Sequence, residues 1–268
     1  MQDAIVFLGT GKGGVVAGKQ LRATGGIILI LNGNQFLLDP GPGCLIMAKE
    51  CKVNLRDTVG VVVTHHHIGH CNDLNAVIDA MTYSGIDRKG VLIAPNIVIN
   101  GDDNTKPYLT AYHRNLLEKI IVVAKDRRAA INDVEIQVLP TKHSHEDAVG
   151  FKFISPNVVI TYSGDTAYSK EAVDSYKDTD ILILNVSDVE KNNKNLSVVD
   201  AEKIIETVNP KLAILTHFGM HMLSADPIHI ARDIQKKTKV QTLAAKDGMI
   251  IAPGNYAAHS TQKRLKSF

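Results

Sequence analysis

The chain has 268 residues, of which 44% are apolar and 22% are charged, a balance typical of globular proteins. Its 30 basic and 28 acidic residues give a net charge of +2, which argues against an extended nucleic-acid-binding face. No apolar run approaches the roughly 18 residues that a membrane-spanning helix needs, so we expect no membrane association. Three cysteines without a CxxC spacing indicate reduced thiols and predict a cytoplasmic protein.

The amino-terminal segment predicts a strand that ends in a glycine-rich turn. Residues 4–8 are apolar and favour a strand, and the segment that follows, residues 9–14, contains four glycines. A phosphate-binding loop would need Ser or Thr directly after Lys19, but Gln20 occupies that position. We therefore interpret the glycines as a tight turn and not as a nucleotide site.

Hydrophobic periodicity predicts the remaining elements in an order typical of α/β proteins. The predicted strands cover residues 26–31, 35–38, 59–63, 91–94, 120–124, 134–139, 149–154, 158–162, 181–186, 212–215, 240–245 and 249–252. The predicted helices cover residues 45–51, 74–81, 108–119 and 198–208, and a last helix begins after Asp226. Each half opens with antiparallel strands and then alternates strands with helices. The pattern predicts one α/β domain over residues 1–268, with two sheets and outer helices.

The strand at residues 59–63 leads into a segment that reads THHHIGH, at residues 64–70. Three more segments with histidine or aspartate follow predicted strands, namely KHSH at 142–145, SGDT at 163–166 and THFG at 216–219. Side chains at strand ends converge when those ends lie on one edge of the sheets, and zinc takes three or four such ligands. His65 and His67 can reach one ion together, whereas His70 can face a second ion.

In this order, the four segments resemble the metallo-β-lactamase superfamily, whose loop reads HxHxDH and precedes separate histidine, aspartate and histidine ligands. The SGDT and THFG segments are most similar to the ribonuclease Z and phosphodiesterase branch. The resemblance implies an α/β fold of four layers, the αββα sandwich. It also implies two metal sites that share a bridging aspartate. The first would comprise His65, His67, His143 and Asp165, and the second would comprise His70, His217 and Asp165.

The same resemblance implies a metal-dependent hydrolase that uses metal-activated water on a phosphodiester, either a small molecule or a nucleic acid. One or two zinc ions are the expected cofactor, although histidine and aspartate ligands also suit manganese or iron. Asp165 would fix the separation of the ions, and His145 is the candidate proton donor to the leaving group. His66 lies outside this scheme and is expected to point away from its neighbours if the loop is extended. A homodimer is implied by the resemblance alone.

Two positions depart from the pattern of this branch. Gly69 stands where the superfamily has the aspartate of HxHxDH, which ligates the second ion, so we expect weaker occupancy there. Asp73, one helical turn later, is a candidate replacement. In ribonuclease Z, a histidine that assists proton transfer lies near the sequence position that Asn195 occupies here. The amide of Asn195 cannot titrate and so cannot take that role.

These departures leave two alternatives open. One is a degenerate family member with an impaired second metal site, which binds a ligand or partner without efficient catalysis. The other is a thioester hydrolase of the glyoxalase type, which uses the same metal scaffold, although the second-half segments resemble it less.

Overall fold

The structure of the protein is a computed structural model that describes residues 2–256. Two β-sheets lie face to face, and helices cover the outer face of each sheet, which confirms the predicted four-layer αββα arrangement. The strands are β1 (Ala4–Phe7), β2 (Ile27–Leu31), β3 (Asn34–Leu38), β4 (Thr58–Val62), β5 (Val91–Pro95), β6 (Lys119–Val123), β7 (Arg128–Ile131), β8 (Val134–Pro140), β9 (Val149–Ile154), β10 (Val159–Tyr162), β11 (Ile181–Asp188), β12 (Leu196–Ser197), β13 (Leu212–Thr216), β14 (Thr242–Ala244) and β15 (Ile250–Ile251).

The helices are short, and most of them connect parallel strands. They are α1 (Val15–Gly18), α2 (Cys44–Glu50), α3 (Ile68–Cys71), α4 (Leu74–Thr82), α5 (Asn96–Ile99), α6 (Ala111–Arg114), α7 (Lys170–Ser175), α8 (Val198–Val208), α9 (Met220–Ser224) and α10 (Pro227–Thr238), with 3₁₀ turns at Leu55–Asp57 and Pro253–Tyr256. None of the helices within residues 2–256 has the length and apolarity required to cross a bilayer.

Strand direction brings the carboxyl ends of several strands to one edge of each sheet. In the first sheet, ordered β15-β1-β2-β3-β4-β5-β6, β1 and β3 run antiparallel to β2, and β4 runs parallel to β3. In the second sheet, ordered β14-β13-β11-β10-β9-β8-β7, β8 and β10 run antiparallel to β9, while β11 and β13 continue parallel to β10. The segments after β1, β3 and β4 therefore emerge together, as do those after β8, β10, β11 and β13.

Alternation of side chains along each strand sorts the apolar residues into three layers. In β1, Phe7 faces the second sheet, while Val6 faces the helices that cover the first sheet. In β11, Ile183 faces the first sheet, while Leu182 faces the helices that cover the second. These strands are buried on both faces, which explains why their sequences are continuously apolar. The three layers hold the strand ends, and hence the segments that follow them, in fixed positions.

The prediction of a helix over residues 108–119 is wrong beyond one turn, because only α6 forms there and β6 begins at Lys119. The backbone N–H groups of Glu118 and Lys119, which a helix would bond to the carbonyls of residues 114 and 115, donate instead to the carbonyl of Gly90, at 3.1 and 3.4 Å. The sequence analysis also missed β7, an edge strand whose sequence RAAI carries little β propensity. The last two predicted strands separate, since β14 ends the second sheet and β15 pairs with β1.

We expect Phe153→Ala to destabilise both sheets together, because Phe153 of β9 packs against Phe36 of β3 across the interior. The ring centroids are 5.6 Å apart, and both side chains are fully buried. The free energy of unfolding should fall by about 3–5 kcal/mol in one transition, measured by circular dichroism in urea. The exposed Val199→Ala is the control and should change it by less than about 0.5 kcal/mol. Separate unfolding of one sheet would contradict a shared interior.

Candidate metal centre

Four strand-end segments meet where the edges of the two sheets adjoin. Residues 64–70 follow β4 of the first sheet, while His143, Asp165 and His217 follow β8, β10 and β13 of the second. An isolated parallel bridge joins the loop after β1 to the loop after β13, so the two edges are in direct contact. The structure brings all six predicted metal ligands together at this point.

The ring nitrogens of His65, His67 and His143 form the first cluster. His65 Nε2 lies 2.9 Å from His67 Nδ1, and His143 Nε2 lies 3.3 Å from the same atom. Nitrogen ligands of a tetrahedral zinc ion, each about 2.0–2.1 Å from the metal, lie about 3.3 Å apart, so this spacing fits one ion. The other ring nitrogens of His65 and His143 each contact a neighbouring oxygen atom. His65 Nδ1 lies 2.9 Å from Thr64 Oγ1, and His143 Nδ1 lies 3.0 Å from the carbonyl oxygen of Lys194.

Asp165 connects this cluster to a second set of histidines. Its Oδ2 lies 3.3 Å from His217 Nε2 and 3.6 Å from His70 Nε2. The ligand atoms of Asp165, His65 and His70 lie within 4.8 Å of one another, so the carboxylate reaches both sets. Asn185 Nδ2 donates to the other oxygen, Oδ1, at 2.8 Å and so orients the carboxylate. Asp165 thus occupies the position expected of a bridging ligand.

Burial favours the neutral form of two histidines of the first cluster, His65 and His67. Burial and the neighbouring His70 lower the pKa of His65 well below its usual value. Burial and the neighbouring His143 lower the pKa of His67 to about 4. Metal ions bind the neutral imidazole through a ring lone pair, so this set of donors fits a divalent ion such as zinc.

His70 differs, because it lies between two carboxylates. Its Nδ1 lies 2.9 Å from Asp39 Oδ2, and its Nε2 faces Asp165. Burial alone would lower the pKa of His70, but the two carboxylates outweigh burial and raise the pKa to about 10. Burial would raise the pKa of Asp165, but His217 and His70 hold that pKa well below the usual value. His70 must therefore lose its Nε2 proton before it can ligate a metal.

Asp39 is the functional residue that the sequence analysis missed. Its buried carboxylate accepts hydrogen bonds from Thr64 N at 2.7 Å and from Tyr162 OH at 2.9 Å, besides contacting His70. The contact fixes the ring orientation of His70 and directs Nε2 toward Asp165. The position of Asp39 in the sequence could have indicated its role, because Asp39 directly follows β3, just as the predicted ligands follow their own strands.

Asp73 does not replace the aspartate that Gly69 lacks. Its Oδ2 accepts hydrogen bonds from the backbone N–H groups of Gly43 and Cys44 at 3.0 and 2.8 Å, at the start of α2. Among the described residues it joins none of the metal-compatible groups. A Cβ atom at position 69 would lie 3.3 Å from Gly13 Cα, so this close approach of two backbones favours glycine. Within residues 2–256, Asp73 therefore supplies no carboxylate in place of the missing one.

The expectation that His66 points away from its neighbours does not apply, because it required an extended loop and the chain bends at His66 and His67. Its ring packs edge to face against that of His145, with centroids 3.9 Å apart. The segment is not extended, because helix α3 begins at Ile68 and the chain turns directly after His67. The contact places His145 beside the first cluster, with its ring centroid 5.4 Å from that of His67.

A family model described as the beta-lactamase superfamily domain matches residues 34–218, which include all six ligand candidates. The chain belongs to the metallo-β-lactamase superfamily. The uncharacterized protein MJ1374 of Methanocaldococcus jannaschii is 28% identical over 255 residues, which are 93% of this chain and 94% of the relative. A ribonuclease Z of Borreliella afzelii is 28% identical over 155 residues, which are 56% of this chain and 47% of that enzyme. The match therefore spans about half the length of the ribonuclease Z.

Solved structures share the same fold. The metallo-β-lactamase fold protein YhfI of Bacillus subtilis superposes with a TM-score of 0.78 at 16% identity, covering 94% of this chain and 99% of its own. A diphosphatase of the PhnP family has a TM-score of 0.70 at 15% identity, with coverages of 94% and 97%. Zn(2+)-bound PqqB of Methylobacterium extorquens has a TM-score of 0.70 at 12% identity, with coverages of 92% and 99%. At these identities the likeness establishes the fold alone.

We expect the two metal positions to differ in proton release. Near neutral pH, His65 and His67 are already neutral, so binding at the first cluster should displace no proton from them. His70 stays protonated up to its pKa of about 10, so binding at the second set should release about one proton. Calorimetric titration of the metal-free protein with zinc, in buffers of different ionisation enthalpy, measures the protons released in each step.

The Asp39→Asn variant tests this role of His70, because the substitution removes a negative charge that favours the protonated form of His70. Proton release in the second step should fall, and the affinity for the second ion should drop by about 10–100-fold. The control is Asp133→Asn, which changes a carboxylate that accepts a hydrogen bond from Asn34 at 2.9 Å. Equal proton release in both steps of the unsubstituted protein would contradict the role assigned to His70.

Proposed function

We propose that the protein is a metal-dependent hydrolase of phosphodiesters, with zinc as the cofactor at one or two positions. The observation that carries the proposal is the pair of ligand sets joined by Asp165. A cavity of about 280 Å³ adjoins them and is lined by His67, His70, Asp165 and His217. This volume suits a small ester or the end of a larger one.

The comparisons favour phosphate chemistry over the other reactions that this fold could support. One sequence relative is named ribonuclease Z, and one structural neighbour is named a diphosphatase. Both names denote cleavage of bonds to phosphorus. The zinc-bound neighbour on the same fold favours zinc, although the ligands here also suit manganese or iron.

When bound, a divalent ion lowers the pKa of a coordinated water and offsets negative charge on phosphoryl oxygens. The residues of this chain position that chemistry. His65, His67 and His143 would hold one ion, His70 and His217 would hold a second, and Asp165 would contribute to both positions. Asn185 and Asp39 keep Asp165 and His70 in their orientations through the hydrogen bonds described above.

In this proposal His145 donates the proton that the leaving group requires. The ring of His145 lies beside His67, outside the two sets of predicted ligands. The ring of His66 packs edge to face against it, with the two centroids 3.9 Å apart. Histidine is the side chain most often used for such transfers. His66 would limit the rotation of the donor ring and so hold it beside His67.

The zinc-loaded protein should hydrolyse bis-p-nitrophenyl phosphate, and a chelator should abolish turnover until zinc is restored. His145→Gln should lower kcat by about 10²–10⁴-fold on a dinucleotide, whose alkoxide leaving group needs a proton. It should have little effect on the nitrophenyl ester, whose leaving group departs without one. The exposed His229→Gln on α10 is the control. No turnover of either ester with zinc, manganese or iron would overturn the proposal.

The degenerate alternative is favoured by one observation, the missing carboxylate at Gly69. The Gly69→Asp variant distinguishes the degenerate alternative from an active hydrolase. We expect no rise in kcat, because the added side chain would crowd Gly13, 3.3 Å away, and enter the cavity. Gly69→Asn is the matched control of nearly equal size without charge. A large joint increase in bound zinc and turnover for the aspartate variant would support the degenerate alternative.

A further inference from the structure

Lys12 lines the same cavity as His70, Asp165 and His217, although it lies outside both ligand sets. It belongs to the glycine-rich loop after β1, which the sequence analysis interpreted as a tight turn. Its side chain is 33% exposed, so the ammonium group is accessible from the cavity mouth. A cation at this position, in a cavity that accepts a phosphate ester, points to a role in ligand binding.

The backbone of the loop fixes Lys12 relative to the metal centre. Lys12 N donates to the carbonyl of Phe218 at 3.0 Å, and Phe218 N donates to the carbonyl of Thr10 at 2.8 Å. Thr10 is in turn held by Asp247, whose Oδ1 accepts from Thr10 N at 2.9 Å and from Thr10 Oγ1 at 2.6 Å. Because Phe218 directly follows His217, these bonds hold the lysine beside the second set of ligands.

Neutral oxygens hold the ammonium group in place without cancelling its charge. Lys12 Nζ donates to Ser187 Oγ at 3.2 Å. With the Asn195 amide oriented to satisfy both of its ends, the Asn195 side-chain oxygen accepts from Nζ at 3.0 Å. The nearest carboxylate oxygen, in Asp188, lies farther away at 3.9 Å. An ammonium group has three N–H donors, so one remains available for a ligand.

The wall beside Lys12 consists of backbone. Gly13, Gly14 and Gly69 line the cavity, and a Cβ atom at position 13 or 69 would lie 3.3 Å from the Cα atom of the other. Of the described residues that line this cavity, Asp165 is the sole carboxylate. Gly69 therefore leaves both space and a deficit of negative charge on the side where Lys12 lies.

We infer that Lys12 and the glycine wall form a binding site for a phosphoryl group of the substrate. The site takes an anionic phosphate oxygen through a charge-assisted hydrogen bond, which is stronger than a bond between neutral groups. This inference rests on the proposed function and deepens it, because Lys12 selects anionic phosphate esters over uncharged thioesters. Lys12 is in this sense a specificity-determining residue.

Binding of inorganic phosphate to the zinc-loaded protein, measured by calorimetry, tests this site without relying on turnover. Lys12→Met should weaken phosphate binding by about tenfold to a hundredfold, with an unchanged zinc content. Lys12→Arg keeps the charge and should retain most of the affinity. Lys19→Met, which removes an exposed lysine a few residues later, should bind phosphate like the unsubstituted protein.

The outcomes separate the site from the proposed function. Unchanged phosphate affinity in Lys12→Met, at equal zinc content, overturns the site even if the protein hydrolyses phosphodiesters. Absence of phosphate binding to the unsubstituted protein overturns it as well. If phosphate binding depends on Lys12 but the protein turns over no phosphodiester, the proposed phosphate-binding site is supported and the proposed hydrolase function is refuted.

Discussion

The buried carboxylate of Asp39 is the interaction on which this edge of the sandwich depends. It follows β3 of the first sheet, accepts a hydrogen bond from Tyr162 of the second, and contacts Thr64 and His70 at the two ends of the histidine segment. A buried carboxylate is tolerated because these partners satisfy its oxygens. Since both ends of the segment are fixed, His65 and His67 between them meet His143, while His70 meets Asp165. Asp39, which lies outside both ligand sets, thus helps to position members of each.

The distribution of charge gives the glycine at position 69 a physical meaning. Asp165 is shared by both ligand sets, Gly69 contributes no carboxylate, and Asp73 is occupied at the start of α2. Asp39 supplies negative charge from behind His70, and Lys12 adds positive charge at the cavity. A centre with this balance favours an anionic ligand, because the ligand itself offsets the charge that the protein leaves uncompensated. Loss of the aspartate therefore does not by itself imply loss of function.

Much of the fold and of the centre could be predicted from local patterns. Continuous apolar runs identified the buried strands, and histidine or aspartate after such runs marked four segments. The resemblance to the superfamily then implied the six ligand candidates that the structure brings together. The helix predicted over residues 108–119 was wrong, because the N–H groups of Glu118 and Lys119, which a helix would bond to carbonyls four residues earlier, donate to the carbonyl of Gly90. The expected alternation at His66 does not apply, since alternation holds only in an extended chain and α3 begins two residues later.

The sequence by itself determined which side chains are available as ligands and which faces of the strands are buried, because strand periodicity and strand ends are visible within a few residues. Only the tertiary structure decided the roles of Asp39, Asp73 and Lys12. Their partners are distant in the chain, with separations of 123 residues for Asp39 and Tyr162, 29 for Asp73 and Cys44, and 175 for Lys12 and Ser187. Whether a carboxylate orients a ligand, begins a helix or ligates a metal depends on what the packed sheets place beside it.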